Sequence, residues 1–504
     1  MPDGQIVLDD APVTPAGVVA VARRNARLVL GDHALRRISD SRSALEAMTS
    51  GSRPVYGLNT SLGASVDTPL GGDDMIAFQR RVAPSHSVGV GPLLPTEQVR
   101  AMIAARISGA AAGGTGMSVG VISGLVTALN AGIHPLVPAW GSVGAADLAP
   151  LAHMARSLMG NGDVEYRGEI LPAMEALKRA GLDPLDIREK DGHALVVANS
   201  LSTGAACLVL EDIARFIDWS FTAIGLSYEG FRSSLSALDD SGMAARPAFG
   251  QREAAARLRL ALEGSSLWQE GAARRLQDPL SFRCAPQVWG ALLHAYAQAE
   301  AATSIELAHS GDNPVILSGE GRAVANGNFD MTAFALTWEQ LGQALAHCAV
   351  AIVNRSVKQM SPTFSGLPRF LSARGQNYIA YAQLQKTLSA LEAEIRHLAN
   401  PISLSPMPIS DWSEDQSSMA PRVVAKTAEI VQRLRYLVAI ELMAACTAIE
   451  LRNVAHSLGP VMGNAFRMVR THVQPLDDDR ALGPDMEALA KMIAGSEAPA
   501  TRLG

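Results

Sequence analysis

From about residue 200 to 455 apolar residues recur with helical spacing almost without a break. This constrains the fold more than any other feature of the chain. Long apolar faces run over 203–226, 286–310, 333–354, 376–398 and 421–450, with the i, i+3, i+4, i+7 repeat of helices that bury one side. No run of alternating polar and apolar residues appears there. Lengths of this order predict a parallel and antiparallel helical bundle whose Ala, Leu and Ile faces also pack on other subunits.

Ahead of the bundle the pattern is more broken. Gln5-Ile6-Val7-Leu8 reads as a short strand followed by amphipathic helices to about residue 50. Residues 98–130 form an Ala/Gly-rich helical stretch, and 160–195 turn polar and loop-like around Tyr166-Arg167-Gly168-Glu169. The expected division is an N-terminal domain over 1–200, carrying the loops discussed below, and a helical bundle domain over 201–504. At 504 residues the chain has about three domains' worth of material and can bury a large core.

Hydrophobic residues make up 48% of the chain, yet no apolar stretch approaches the roughly 20 residues that span a bilayer. Met1-Pro2-Asp3-Gly4 lacks the basic and apolar regions of a signal peptide. The net charge of -6, from 43 basic and 49 acidic residues with no basic run, argues against nucleic acid and anionic membrane as partners. Cys207, Cys284, Cys348 and Cys446 are far apart and lack metal-ligand spacing. They read as free thiols in a reducing cytoplasm, with no metal site expected.

The stretch most suggestive of chemistry is Trp140-Gly141-Ser142-Val143-Gly144-Ala145-Ala146-Asp147-Leu148-Ala149-Pro150-Leu151-Ala152-His153. A Gly/Ala-rich turn runs into Asp147, a good helix N-cap, and then an apolar helical run. A backbone this bare can approach another group closely, although a Gly/Ala loop before a helix is by itself also an ordinary structural turn. The wording is more specific. It resembles the signature of the aromatic amino acid ammonia-lyases, G-[ST]-V-G-A-S-G-D-L-x-P-L-[AS]-H, whose inner Ala-Ser-Gly matures into the electrophile methylidene-imidazolone. Here only Ala145-Ala146 separate Gly144 from Asp147, so one residue is missing and no serine is left to dehydrate. Ser142 aligns with the earlier Ser/Thr and cannot substitute. The resemblance therefore implies the family scaffold with a degenerate loop (Ala145, Ala146, Asp147) and no cofactor.

Further matches follow in family order over about residues 50–455. Tyr56, in Val55-Tyr56-Gly57-Leu58-Asn59-Thr60-Ser61-Leu62-Gly63, would alone read as a loop anchor. Its loop resembles Y-G-[IV]-x-T-G-F-G, whose tyrosine is the catalytic acid/base, with Ser61-Leu62 replacing Gly-Phe. Ser85-His86-Ser87-Val88-Gly89-Val90-Gly91 is similar to S-H-x-x-G-V-G of histidine lyases, which implies that His86 recognises an imidazole-type ring. Asn199 matches the A-L-x-N-G-[ST] asparagine that holds the substrate carboxylate. Gln277–Val288 resembles Q-D-x-Y-S-[LF]-R-C-x-P-Q-V, making Arg283 the carboxylate-binding arginine and placing Leu280 where the family has tyrosine. Asn326-Gly327-Asn328-Phe329-Asp330 resembles G-G-N-F-H, with Phe329 as a pocket wall and Asn328 as its polar neighbour. Ile409–Ala420 is similar to S-x-[NQ]-x-[QE]-[ED]-[HV]-x-S-M, with Glu414 as the active-site glutamate. Ser310-Gly311-Asp312-Asn313-Pro314 resembles a structural [ST]-D-N-P turn.

The departures gather around the missing electrophile. Without it an ordinary amino acid would be nearly inert, since a general base alone contributes about 10²–10⁴-fold. A trimethylammonium group leaves as a neutral amine without further activation, and a polarised imidazole or thioimidazole acidifies the adjacent β-hydrogens. Histidine betaines have both features. The chain thus looks like the ergothionase branch of the superfamily, which eliminates trimethylamine from ergothioneine to a urocanate-type product without the internal cofactor. Lys386, in Gln383-Leu384-Gln385-Lys386, is either a surface lysine on an amphipathic helix or a pocket residue that pairs with Glu414 to polarise the ring. The expected set is Tyr56 as base, Arg283 with Asn199 on the carboxylate, and Lys386 with Glu414 on the ring. The resemblance also implies a mainly α fold and a homotetramer acting on a small molecule. Two alternatives stay open: a histidine or other aromatic amino acid ammonia-lyase releasing ammonia, and an inactive scaffold homologue.

Overall fold

A computed structural model describes residues 4–49, 53–375, 377–404 and 407–499. The protein is 60% helix and 8% strand, so the mainly α expectation holds. Two compact units divide it. The first comprises Met1–Leu210, Ala299–Thr337 and Pro401–Ala425, and the second Glu211–Gln298, Trp338–Asn400 and Lys426–Gly504. The division does not follow a single cut at 200/201. It falls inside the four long helices Ser200–Phe231, Ala285–Ala308, Thr332–Gln359 and Ala420–Leu451, so one end of each belongs to the first unit.

In the first unit, helix Thr96–Ala111 is buried at every position from Val99 to Ala111; most of these residues are apolar or small, and the buried Arg100 and Arg106 are paired with the Val21 carbonyl and Asp312. Helix Pro15–Arg23 packs on it, and helix Asp73–His86 packs on helices Leu148–Leu158 and Asp191–Val196. The expected strand Gln5–Leu8 forms and pairs in parallel with Arg27–Leu30. Residues 160–195 are more ordered than their polar composition suggests: Asp163–Tyr166 and Glu169–Pro172 form an antiparallel hairpin, with Ile133–Pro135 on its other side. Val90–Leu93 pairs with Pro138–Trp140, and Val315–Leu317 with Arg322–Val324.

In the second unit the long helices are tied by a buried polar cluster. Arg355 and Glu441, both fully buried, form a two-pronged ion pair at 2.6 and 3.0 Å. Ser227 Oγ donates to Glu441 at 2.8 Å, and Gln359 donates to Ser227 at 3.1 Å. The Arg355 guanidinium lies 4.8 Å from the Trp289 ring centre.

One stretch departs from the reading that no span is long and apolar enough for a bilayer. Asp191–Phe231 passes by length and composition, but 94% of its most apolar window is buried inside the protein. That is the signature of a core helix.

Candidate active site

A cavity of about 740 Å³ opens in the first unit, lined by Tyr56, Leu62, Phe78, Arg81, His86, Ala145, Ala146, His193, Val197, Asn313, Phe329 and Glu414 among others. Its size suits a small-molecule substrate. Five sequence-expected residues or loops therefore converge: Tyr56, His86, the Ala145-Ala146 loop, Phe329 and Glu414.

Tyr56 sits in a tight turn closed by Leu58 N–H to the Val55 carbonyl (3.1 Å) and by the Asn59 side chain, which accepts from Val55 N–H at 2.7 Å. Its phenolic oxygen accepts the Gly63 N–H at 3.1 Å. The Tyr56 ring meets the edge of His193 with centroids 5.3 Å apart and planes at 83°. Gln79, fully buried, clamps the two: its Nε2 donates to the Gly57 carbonyl at 3.0 Å and its Oε1 accepts the His193 N–H at 2.8 Å.

Two glycines make this clamp possible. Gly57 has φ +66°, and a Cβ there would lie 2.3 Å from His193 Nδ1. A Cβ on Gly192 would lie 2.0 Å from the Gln79 carbonyl oxygen. Either side chain would force the loop and helices apart. Burial holds the His193 imidazole well below the usual histidine range, with the positive charges of Lys190, His86 and Arg106 adding to it. His193 Nδ1 is buried without a hydrogen bond among the described residues.

Glu414 closes a short loop in which Ile409 and Glu414 exchange backbone hydrogen bonds at 2.9 and 3.3 Å. Ser410, Asp411 and Trp412 all take positive φ there. Ser410 Oγ donates to the Glu414 carboxylate at 2.7 Å, which holds this acid toward the cavity. His86, at the end of helix Asp73–His86, directs Nδ1 to the Val82 carbonyl at 2.8 Å. Its neutral form then offers Nε2 as an acceptor.

The 142–147 loop is pinned on both sides. The Val143 carbonyl accepts from Met419 N–H at 2.8 Å, and the Gly144 carbonyl from Ser418 Oγ at 3.0 Å. Asp147 precedes helix Leu148–Leu158 but makes no side-chain cap. Its carboxylate instead accepts Ser202 N–H at 2.8 Å and the hydroxyls of Ser142 at 2.9 Å and Ser202 at 3.3 Å, leaving none for its own helix.

Burial raises Asp147 from 3.8 to about 6 despite these donors. A folded-state value above the unfolded one means that its stabilisation is full below 3.8 and is lost as pH rises through about 6. Thermal melts of wild type and Asp147→Asn should therefore differ most in favour of wild type near pH 4, with the gap shrinking toward pH 7. A gap independent of pH would assign the titration to another group.

Other expected residues are placed elsewhere. Asn199 is buried and donates to the Phe329 carbonyl at 2.6 Å; Val196 and Val197 line the cavity, and Asn199 is not among the lining residues. Asn328 is exposed, also outside the lining, and its N–H donates to Asn326 at 2.8 Å. Arg283 and Lys386 belong to the second unit. Both are exposed, and Arg283 donates to Gln277 at 3.1 Å. Arg81, His193 and Asn313 line the cavity without having been singled out from sequence. For Arg81 the available signal was its place with Phe78, Val82 and Ser85 on one face of a helix.

Known proteins agree with this picture. Residues 13–471 match the model of the family described as aromatic amino acid lyase. Histidine ammonia-lyase of Symbiobacterium thermophilum is 35% identical over 97% of this chain and 96% of its own. The chain belongs to the aromatic amino acid lyase family. This lyase acts on carbon–nitrogen bonds. Among solved structures, the aromatic amino acid lyase described here is similar to ergothionase from Treponema denticola, in complex with desmethyl-ergothioneine sulfonic acid. The TM-score is 0.93 with 32% identity, covering 97% of this chain and 98% of that one. Histidine ammonia-lyase from Trypanosoma cruzi matches with a TM-score of 0.89 at 27% identity, covering 97% and 93%.

Proposed function

We propose that this lyase eliminates trimethylamine from a histidine betaine of the ergothioneine type to give a urocanate-type product, without methylidene-imidazolone. The observation that carries the reading is the loop itself. Only Ala145 and Ala146 lie between Gly144 and Asp147, and the nearby Ser142 hydroxyl is committed to Asp147 at 2.9 Å. The residues do not fit that group, because none between Gly144 and Asp147 carries a hydroxyl to dehydrate. The similarity to a solved ergothionase supports the same reading.

In the proposed reaction Tyr56 takes the β-proton. The electron pair of that C–H bond forms the carbon–carbon double bond, and the α-carbon–nitrogen bond breaks with its pair going to nitrogen. Trimethylamine leaves neutral, so no proton has to be delivered to it. Glu414 hydrogen-bonds the ring and, with Lys386, draws charge from it. Arg283 takes the carboxylate, as the family resemblance implies. The same resemblance supports a homotetramer whose active sites take loops from several subunits, and the four scattered cysteines support a reducing cytoplasm.

A second reading, release of ammonia from histidine, is favoured by the names of the relatives, histidine ammonia-lyases at 31–35% identity over 97% of this chain. The two separate in one assay. The purified protein is incubated with ergothioneine, hercynine and histidine, following product absorbance and the amine released. We expect trimethylamine from a betaine, no ammonia from histidine, and no loss of near-ultraviolet absorbance on borohydride treatment. Ammonia from histidine would overturn the cofactor-free reading.

A further inference from the structure

Helix Asp73–His86 presents Phe78, Arg81, Val82 and Ser85 to the cavity, the i, i+3, i+4, i+7 stripe of a single helical face. Arg81 thus stands in the middle of the cavity-facing stripe. It has neither an ion pair nor a hydrogen bond among the described residues. The neighbouring Arg80, by contrast, pairs with Asp186 at 3.4 Å.

Among the other ionisable groups lining the cavity, the Glu414 carboxylate accepts from Ser410, His86 Nδ1 lies against the Val82 carbonyl, and burial holds His193 well below the usual histidine range; none of them is paired with Arg81. A guanidinium keeps its charge at any physiological pH and presents a planar donor fork that matches a carboxylate. Leu62, Phe78, Val82 and Phe329 line the same cavity and supply apolar walls for the rest of such a ligand.

We propose that Arg81 binds the carboxylate of the substrate and of the acrylate product, in addition to the arginine that the family resemblance implies. A carboxylate has lone pairs enough for two such donors. With Glu414 on the ring, Arg81 on the carboxylate fixes the two ends of the ligand within one cavity. The kinetic part of this assignment rests on the betaine reading above; the binding part does not.

The test therefore has two arms, using Arg81→Gln and Arg81→Lys in the full-length protein. Calorimetry compares urocanate with its amide, which keeps the imidazole and loses the charge. Wild type is expected to prefer the acid, and Arg81→Gln to weaken acid binding by about 10- to 100-fold while leaving the amide unchanged. Arg81→Lys should restore part of the preference, since it keeps the charge and loses the fork. In the kinetic arm KM for the betaine rises in Arg81→Gln by a similar factor with a smaller change in kcat.

Arg81 is exposed, so the variants should fold, and an unchanged melting temperature checks this. No acid-over-amide preference in wild type, or the same preference in Arg81→Gln, overturns the proposal. So does loss of the preference in Arg283→Gln alone. A wild-type protein inert toward betaines overturns the function proposed above and leaves the calorimetric arm intact.

Discussion

Tyr56→Phe should lower kcat by about 10²–10⁴-fold, the usual worth of a positioned general base, with little change in KM or melting temperature. The substitution removes one oxygen and keeps the ring, so the edge contact with His193 at 5.3 Å and the Gln79 clamp on Gly57 persist. What disappears is the atom that accepts the Gly63 N–H at 3.1 Å and faces the cavity. Steady-state assays of product absorbance, with circular dichroism melts alongside, measure both sides of this expectation. Full turnover by Tyr56→Phe would assign proton abstraction to another group, and a parallel fall in melting temperature would mean that the oxygen serves the fold.

Glu441→Ala is expected to be the most destabilising of the changes considered, by about 3–5 kcal/mol, the cost of stranding one member of a buried ion pair. Arg355 and Glu441 have no exposed side-chain surface. The carboxylate also accepts from Ser227, which in turn accepts from Gln359, so its loss leaves a guanidinium and a hydroxyl short of partners. Arg355 would keep only the Ser281 carbonyl at 3.0 Å and the Trp289 face. Denaturation midpoints give the readout. The double change Arg355→Met with Glu441→Leu should recover most of the loss, because removing both charges removes the desolvation penalty along with the attraction. Equal midpoints for the single and double variants would show that packing volume, and not charge, sets the cost.

The sequence exposes some of this architecture and conceals other parts for identifiable reasons. The long helices are legible because each carries many turns of the same apolar face. The strands Val315–Leu317 and Arg322–Val324 are not, since three residues hold too few alternations to show a period. Tyr56, His86, Phe329 and Glu414 lie in loops or at a helix end, where the order of letters itself is distinctive, and all four reach the cavity. Asn199 illustrates the opposite case. The chain turns between helix Asp191–Val196 and helix Ser200–Phe231, which leaves Val196 and Val197 on the cavity and sends the asparagine to the Phe329 carbonyl. A motif match does not register which of these neighbouring side chains lines the cavity. Arg81 and His193 escaped because they sit inside helices, where function shows as spacing on a face and not as a run of letters.

The loop at Ala145-Ala146 also bears on how the protein comes to be active. In an enzyme whose electrophile is made from its own backbone, folding must be followed by a slower chemical step before the first turnover. Here the loop is fastened by the Val143 and Gly144 carbonyls, and between Gly144 and Asp147 it contains nothing that could cyclise and lose water. On the proposed reading a newly made chain is competent as soon as it is folded, and carbonyl-seeking poisons find no target in it.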